Sequence, residues 1–182
     1  MGGIPKPTSG SKPFVNLMDK YMPQNWNEFF DSREMLDDKI PIYHAGTEGH
    51  LFFCLHGAGH TALSFAALAK MIKGDKYKST CVSFDYRGHG GHFRDDEVNM
   101  SEAKMIEETI YVLKYITTKY PDQSIILVGH SMGGALAAKT IHYMHENIKD
   151  EEWTNHVKGL FVIDVCEGSA MDALPFMEEI VK

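Results

Sequence analysis

Cysteine is scarce: Cys54, Cys81 and Cys166 are the only three in 182 residues. Their number is odd, no metal-ligand spacing appears, and each lies inside or beside an apolar run. They read as reduced core thiols of a cytosolic protein, which excludes a disulfide framework. Basic residues are in the minority, 18 Lys and Arg against 25 Asp and Glu, for a net charge of −7 with no long run of either sign. Nucleic acid is thereby excluded as a partner, because phosphate binding needs a clustered basic surface. Apolar runs are short, and none approaches the ~20 residues of a membrane span. The start shows no signal-peptide h-region, and Lys6 stands where a myristoylation signal after Met1-Gly2 needs Ser or Thr. Internal repeats are absent as well.

What the chain does contain suits one domain of a size that can bury a core. Its most informative stretch is Gly129-His130-Ser131-Met132-Gly133. This G-x-S-x-G pentapeptide lies between a strand-like run, Ile125 to Val128, and a helix-like run, Ala135 to Ala138. Such a sharp strand-to-helix turn holds a serine strained, with its hydroxyl exposed above a parallel sheet. The flanking glycines are required because a side chain there would strike the neighbouring strand and helix. A helix beginning at the serine also aims N–H groups and a positive dipole end at the reacting centre. Ser131 is therefore read as a nucleophile.

The remaining pattern alternates strands with helices, which predicts βαβ units and a parallel sheet. Ile40 to Tyr43 reads as a short outer strand. Leu51–Leu55 and Cys81–Phe84 read as strands buried on both faces, and Gly159 to Ile163 as a fifth strand. Helical character covers Ala62 to Ile72 and Ser101 to Tyr120, the latter with Ser101 as N-cap and a Met100–Met105 staple. Ile106, Ile110, Leu113 and Thr117 follow at helical spacing, and Pro121 marks the end. A last helical segment is expected from Met171 to Val181. Residues 1–13 are rich in Gly, Pro, Ser and Lys, and residues 1–20 read as a disordered tail ahead of a domain over 21–182. Trp26, Phe29 and Phe30 form an aromatic cluster, with packing onto the domain's own core favoured over docking to a partner.

A nucleophilic serine needs an oxyanion hole, a base, and an acid that orients the base. Leu55-His56-Gly57-Ala58-Gly59 follows a strand directly and matches the HGGG-type loop of esterases and lipases. The Ala58 and Met132 amides are the expected oxyanion donors. Asp164, directly after Phe161-Val162-Ile163, is the expected acid, while Asp172 falls inside the final helical segment. Asp85 and His89, in Asp85-Tyr86-Arg87-Gly88-His89-Gly90, read as turn residues. In this fold the order along the chain is Ser, acid, His. Seven histidines precede Ser131 and three (His142, His145 and His156) lie between it and Asp164, so none fits the third position.

With those residues in place, the chain resembles the protein phosphatase methylesterase family. The likeness is close over Leu55 to Ser64 and Gly129 to Gly134, and most specific in Val162-Ile163-Asp164-Val165-Cys166-Glu167-Gly168-Ser169-Ala170-Met171-Asp172-Ala173-Leu174. It implies an α/β-hydrolase fold, a mostly parallel sheet with helices on both faces. Family members continue further, so the chain is similar to their N-terminal portion, stopping before the last strands and the catalytic histidine. By resemblance, Ser131 is the nucleophile, Asp164 the acid, and the Ala58 and Met132 amides the oxyanion hole, with Ala58 where the family usually has Gly. The implied activity is hydrolysis of the methyl ester on the C-terminal leucine of the protein phosphatase 2A catalytic subunit. No cofactor or metal is implied, and the implied setting is the cytoplasm, with the nucleus a second compartment. Met132 and Met171 are positioned to line a groove for the substrate chain. Two other readings stay open: an esterase or lipase acting on small esters, and a short form that binds the phosphatase without hydrolysis.

Overall fold

The computed structural model describes residues 24–73, 78–92 and 99–165. The expected tail over 1–20, Cys166, Asp172 and the helix from Met171 to Val181 lie outside the described residues.

Six strands form one sheet: β1 (Ser32–Leu36), β2 (Ile40–Ala45), β3 (Leu51–Leu55), β4 (Thr80–Phe84), β5 (Ile125–His130) and β6 (Val157–Ile163). Their spatial order is β1-β2-β4-β3-β5-β6. The β3–β4, β3–β5 and β5–β6 pairs are parallel, and β1–β2 and β2–β4 are antiparallel. Among the described residues, three α-helices connect them: α1 (Ala66–Ile72), entered through a 3-10 turn at Ala62–Phe65, α2 (Glu102–Lys119) and α3 (Met132–Asn147).

Alternation along the central strands assigns side chains to two cores. Leu51, Phe53, Leu55, Ile125 and Leu127 share one core with Leu113, Ile116, Leu136 and Met144 of α2 and α3. Cys54, Cys81 and Val128 share the other with Phe65, Ala69 and Ile72 at α1. Helices thus lie on both faces of the sheet. Phe30 is buried in this second core, its ring 5.4 Å from that of Tyr43, so the N-terminal aromatic cluster packs onto its own domain. Cys54 and Cys81 are free and buried, their sulfurs 3.7 Å apart.

Two expectations need correction. The strand at Ile40 is not an outer one: β2 is buried along its whole length between β4 and β1. The edge on that side is β1, Ser-Arg-Glu-Met-Leu, too polar to read as a strand. It is fastened to α2 through Glu34, whose Oε1 accepts from Lys119 Nζ and the Tyr115 hydroxyl, both at 2.7 Å. Secondly, α2 is rotated relative to the expected face. It buries Met105, Glu108, Thr109, Val112, Leu113, Ile116 and Thr117, while Ile106 and Ile110 are only partly covered. Ser101 is the N-cap of α2, as expected, although its side chain makes no cap bond; the Asn99 side chain accepts the Ser101 N–H at 3.1 Å.

Candidate active site

Because β3, β4, β5 and β6 run parallel, their carboxyl ends share one edge of the sheet, where α/β folds bind ligands. Leu55 lies opposite Gly129, and His130 opposite Ile163. The loops carrying His56 to Gly59, Asp85 to Gly90, Ser131 and Asp164 therefore open onto the same edge.

Ser131 has φ 51° and ψ −120°, a left-handed conformation that costs a non-glycine residue on the order of 1–3 kcal/mol. Its backbone is held from both sides. Ser131 N–H donates to the Ile163 carbonyl at 2.9 Å, and its own carbonyl accepts from Gly134 N–H, also at 2.9 Å. The glycines explain how so tight a turn fits. A β-carbon at Gly129 would lie 2.4 Å from the Gly133 carbonyl oxygen, and one at Gly133 only 2.1 Å from that of Leu55. β5, α3 and β3 thus approach at backbone contact, and Met132 opens the helix.

The loop after β3 lies against the serine. A β-carbon added at Gly57 would sit 3.3 Å from the Ser131 β-carbon and 3.0 Å from His130 Nδ1. Ala58 follows at the exposed crest of this loop, in a turn closed by His60 N–H donating to the Gly57 carbonyl at 3.1 Å. His56 anchors the loop from beneath. Its Nε2 accepts the Tyr86 N–H at 3.1 Å, so Nδ1 carries the proton and donates to the Gly57 carbonyl at 2.8 Å. Burial is the main cause that lowers the His56 pKa to about 4.

Asp85 braces the site from the neighbouring strand. Its Oδ1 accepts the Ala62 N–H at 2.7 Å and its Oδ2 the Gly91 N–H at 2.9 Å. His89 packs its ring on His56, centroids 5.1 Å apart, with Nδ1 against the Arg87 carbonyl. Arg87 also ties this loop to α2, its N–H donating to Glu108 Oε2 at 3.0 Å, which is why the helix buries a glutamate.

Asp164 terminates β6 one residue after the carbonyl that holds Ser131, with φ 54° and its side chain 83% exposed. Its Oδ2 lies 3.9 Å from His130 Nε2. The His130 ring is 29% exposed and stacks on His60 with centroids 5.4 Å apart and planes 11° from parallel. Beside these rings runs a largely apolar groove of about 660 Å³, bordered by Phe65, Leu68, Val128 and Ile163. Among the described residues, no cluster of three or more His, Cys, Asp or Glu is placed to hold a metal.

The structure thus gathers Ser131, Met132, the Ala58 loop and Asp164 at one edge. It also adds His60 and His130, which chain order had set aside. The adjacency of His130 to Ser131 was the available signal. His142 and His145 are exposed on α3, remote from the turn in sequence, and His156 is half-buried against the Gln123 carbonyl.

A serine on a strained strand-to-helix turn, at the carboxyl edge of a mostly parallel sheet, matches one family. Residues 52–179 correspond to the alpha/beta hydrolase family. This chain is an alpha/beta hydrolase. Among solved members of the fold, it superposes on a carboxyl esterase from Bacillus coagulans with a TM-score of 0.58 at 17% identity, covering 78% of this chain and 46% of that one. With an epoxide hydrolase from Vigna radiata the TM-score is 0.60 at 14% identity, covering 76% and 39%.

In sequence, this hydrolase is similar to protein phosphatase methylesterases. It is 37% identical to the probable protein phosphatase methylesterase 1 of Caenorhabditis elegans, over 82% of this chain and 39% of the relative. Identity to the Homo sapiens protein phosphatase methylesterase 1 is 32%, over 89% of this chain and 41% of that protein. The chain therefore spans about two fifths of the length of these relatives. No helix among its described residues is long and apolar enough to cross a membrane.

Proposed function

We propose that this chain carries the nucleophile end of a serine carboxylesterase whose substrate is a protein methyl ester, that on the C-terminal leucine of the protein phosphatase 2A catalytic subunit. The observation that carries the reading is the Ser131 turn, strained and locked by glycines between β3, β5 and α3. Sequence similarity to protein phosphatase methylesterases supports the substrate.

In this reading Ser131 Oγ attacks the ester carbonyl carbon, and the developing oxyanion accepts hydrogen bonds from the Ala58 and Met132 amides. One such donor typically contributes ~10²–10³ in rate. Methanol leaves with the serine proton, and water then cleaves the acyl-enzyme to a free carboxylate. Asp164 serves as the acid that orients the base. The apolar groove beside His130 suits an apolar side chain adjoining the ester.

The test is methanol release from methylated phosphatase catalytic subunit by this chain and by Ser131→Ala. Release that the substitution abolishes is expected. Turnover of short acyl esters with no release from the methylated phosphatase would instead assign the site to small esters.

A further inference from the structure

We propose that Glu108 of α2 is a positioning residue for the oxyanion loop, holding the Ala58 N–H toward Ser131 through Tyr86 and His56; the assignment rests on the reading of Ser131 as nucleophile. Glu108 is only 7% exposed, on a helix face otherwise filled by Met105, Val112 and Leu113. A buried carboxylate is costly unless it is paired and hydrogen-bonded, so its partners are informative.

Those partners lie on the loop after β4. Glu108 Oε2 accepts the Arg87 backbone N–H at 3.0 Å, and its Oε1 is 3.5 Å from Arg87 Nε and 3.8 Å from His92 Nδ1. The same His92 nitrogen donates to the Asp85 carbonyl at 3.0 Å. The two peptide units flanking Tyr86 are thereby fixed on both sides. In the first, His92 holds the Asp85 carbonyl and His56 Nε2 accepts the Tyr86 N–H at 3.1 Å. In the second, the Tyr86 carbonyl accepts the His89 N–H at 2.9 Å and Glu108 takes the Arg87 N–H. Tyr86 is anchored by its side chain as well. Its ring is fully buried, and its hydroxyl meets Thr109 Oγ1, the next residue of α2, at 2.9 Å.

The far end of this relay is a single peptide plane. Because Nε2 accepts from Tyr86, His56 carries its proton on Nδ1 and donates to the Gly57 carbonyl at 2.8 Å; the His60 N–H donates to the same oxygen at 3.1 Å. That carbonyl and the Ala58 N–H belong to one trans peptide unit, so they point in opposite directions. With the oxygen held toward the fully buried His56, the N–H is directed to the exposed side of the loop, where the loop meets Ser131. Rotation of this plane would turn a carbonyl oxygen toward the developing oxyanion in place of a donor. A donor fixed before the reaction needs no reorganisation during it.

The test compares Glu108→Met, Glu108→Gln, His56→Ala and the Glu108→Met/His56→Ala double variant, each checked for native circular dichroism. Two quantities are read: the rate of Ser131 phosphonylation by a fluorophosphonate, and the amide NMR resonance of Ala58. Glu108→Met is expected to slow labelling by at least about tenfold, short of the ~10²–10³-fold cost of losing a donor outright, and to move the Ala58 resonance. Glu108→Gln keeps an oxygen for the Arg87 N–H and recovers most of the rate. The double variant labels no more slowly than His56→Ala, because both changes cut one relay; a merely structural role for Glu108 gives additive losses. Where Glu108→Met does not fold, combining it with Arg87→Met removes the unpaired guanidinium and is read in the same way. Wild-type labelling in Glu108→Met, or additive losses in the double variant, would overturn the assignment while leaving Ser131 as nucleophile. A folded wild-type chain that does not label at Ser131 would overturn the nucleophile reading, and an Ala58 resonance unmoved in Glu108→Met would then overturn the relay on its own.

Discussion

His56 sits at the base of the site, where its protonation and folding are linked. The Nε2 of His56 must stay unprotonated to accept the Tyr86 N–H, and burial lowers its pKa to about 4 from an ordinary 6.5. His44, buried between β1 and β4 and near Lys119, is likewise lowered to about 4. In the unfolded chain both take up a proton near pH 6.5, so between pH 6.5 and 4 the unfolded state binds more protons. Stability is full above pH 6.5 and falls as pH drops toward 4, with a cost of about 3 kcal/mol for His56 alone. Urea titrations at stepped pH are expected to show uptake of about two protons on unfolding in that window, and about one in His56→Asn. At this scale the sequence was informative wherever a motif forced the geometry. Ser131 and Asp164 stand at the strand ends where they were expected, and Asp85, read as a turn residue, accepts the Ala62 and Gly91 N–H groups.

Among the elements, the contact of β3, β5 and α3 at Gly129 and Gly133 decides whether the turn can form. Alanine in place of glycine near a helix start would ordinarily stabilise. Gly133→Ala is expected to do the opposite, because its methyl would lie 2.1 Å from a backbone carbonyl oxygen that cannot move without its strand. Overpacking of this kind costs about 1–3 kcal/mol. That corresponds to a fall in Tm of about 3–10 °C for a chain of this size, measurable by calorimetry. The central strands were legible because Leu51–Leu55 and Ile125–Val128 are apolar on both faces. β1 was not, since its place at the edge depends on Glu34 meeting Lys119 and Tyr115 of a distant helix. The face of α2 was misjudged for a related reason. Glu108 is buried because Arg87, 21 residues earlier, supplies its partner, and no local periodicity carries that information.

Over the whole molecule, α2 and α3 cover one sheet face and α1 part of the other. Among the described residues β6 is the last strand on its side of the sheet, with Phe161 58% exposed. The parallel order of β3 to β6 was readable from strand–helix alternation, and it brings Ser131, Asp164 and the Ala58 loop to one edge without any of them being close in sequence. The position of β2 between β1 and β4 was not, because an antiparallel return cannot be inferred from an isolated apolar run. The Ser131 turn is expected to react as a nucleophile in the folded chain. Intact-mass analysis of the folded chain after treatment with a fluorophosphonate tests it most directly, with the adduct mapped by proteolysis. One adduct per chain is expected, on Ser131, and none in Ser131→Ala. An unlabelled folded chain, or an adduct retained in Ser131→Ala, would contradict it.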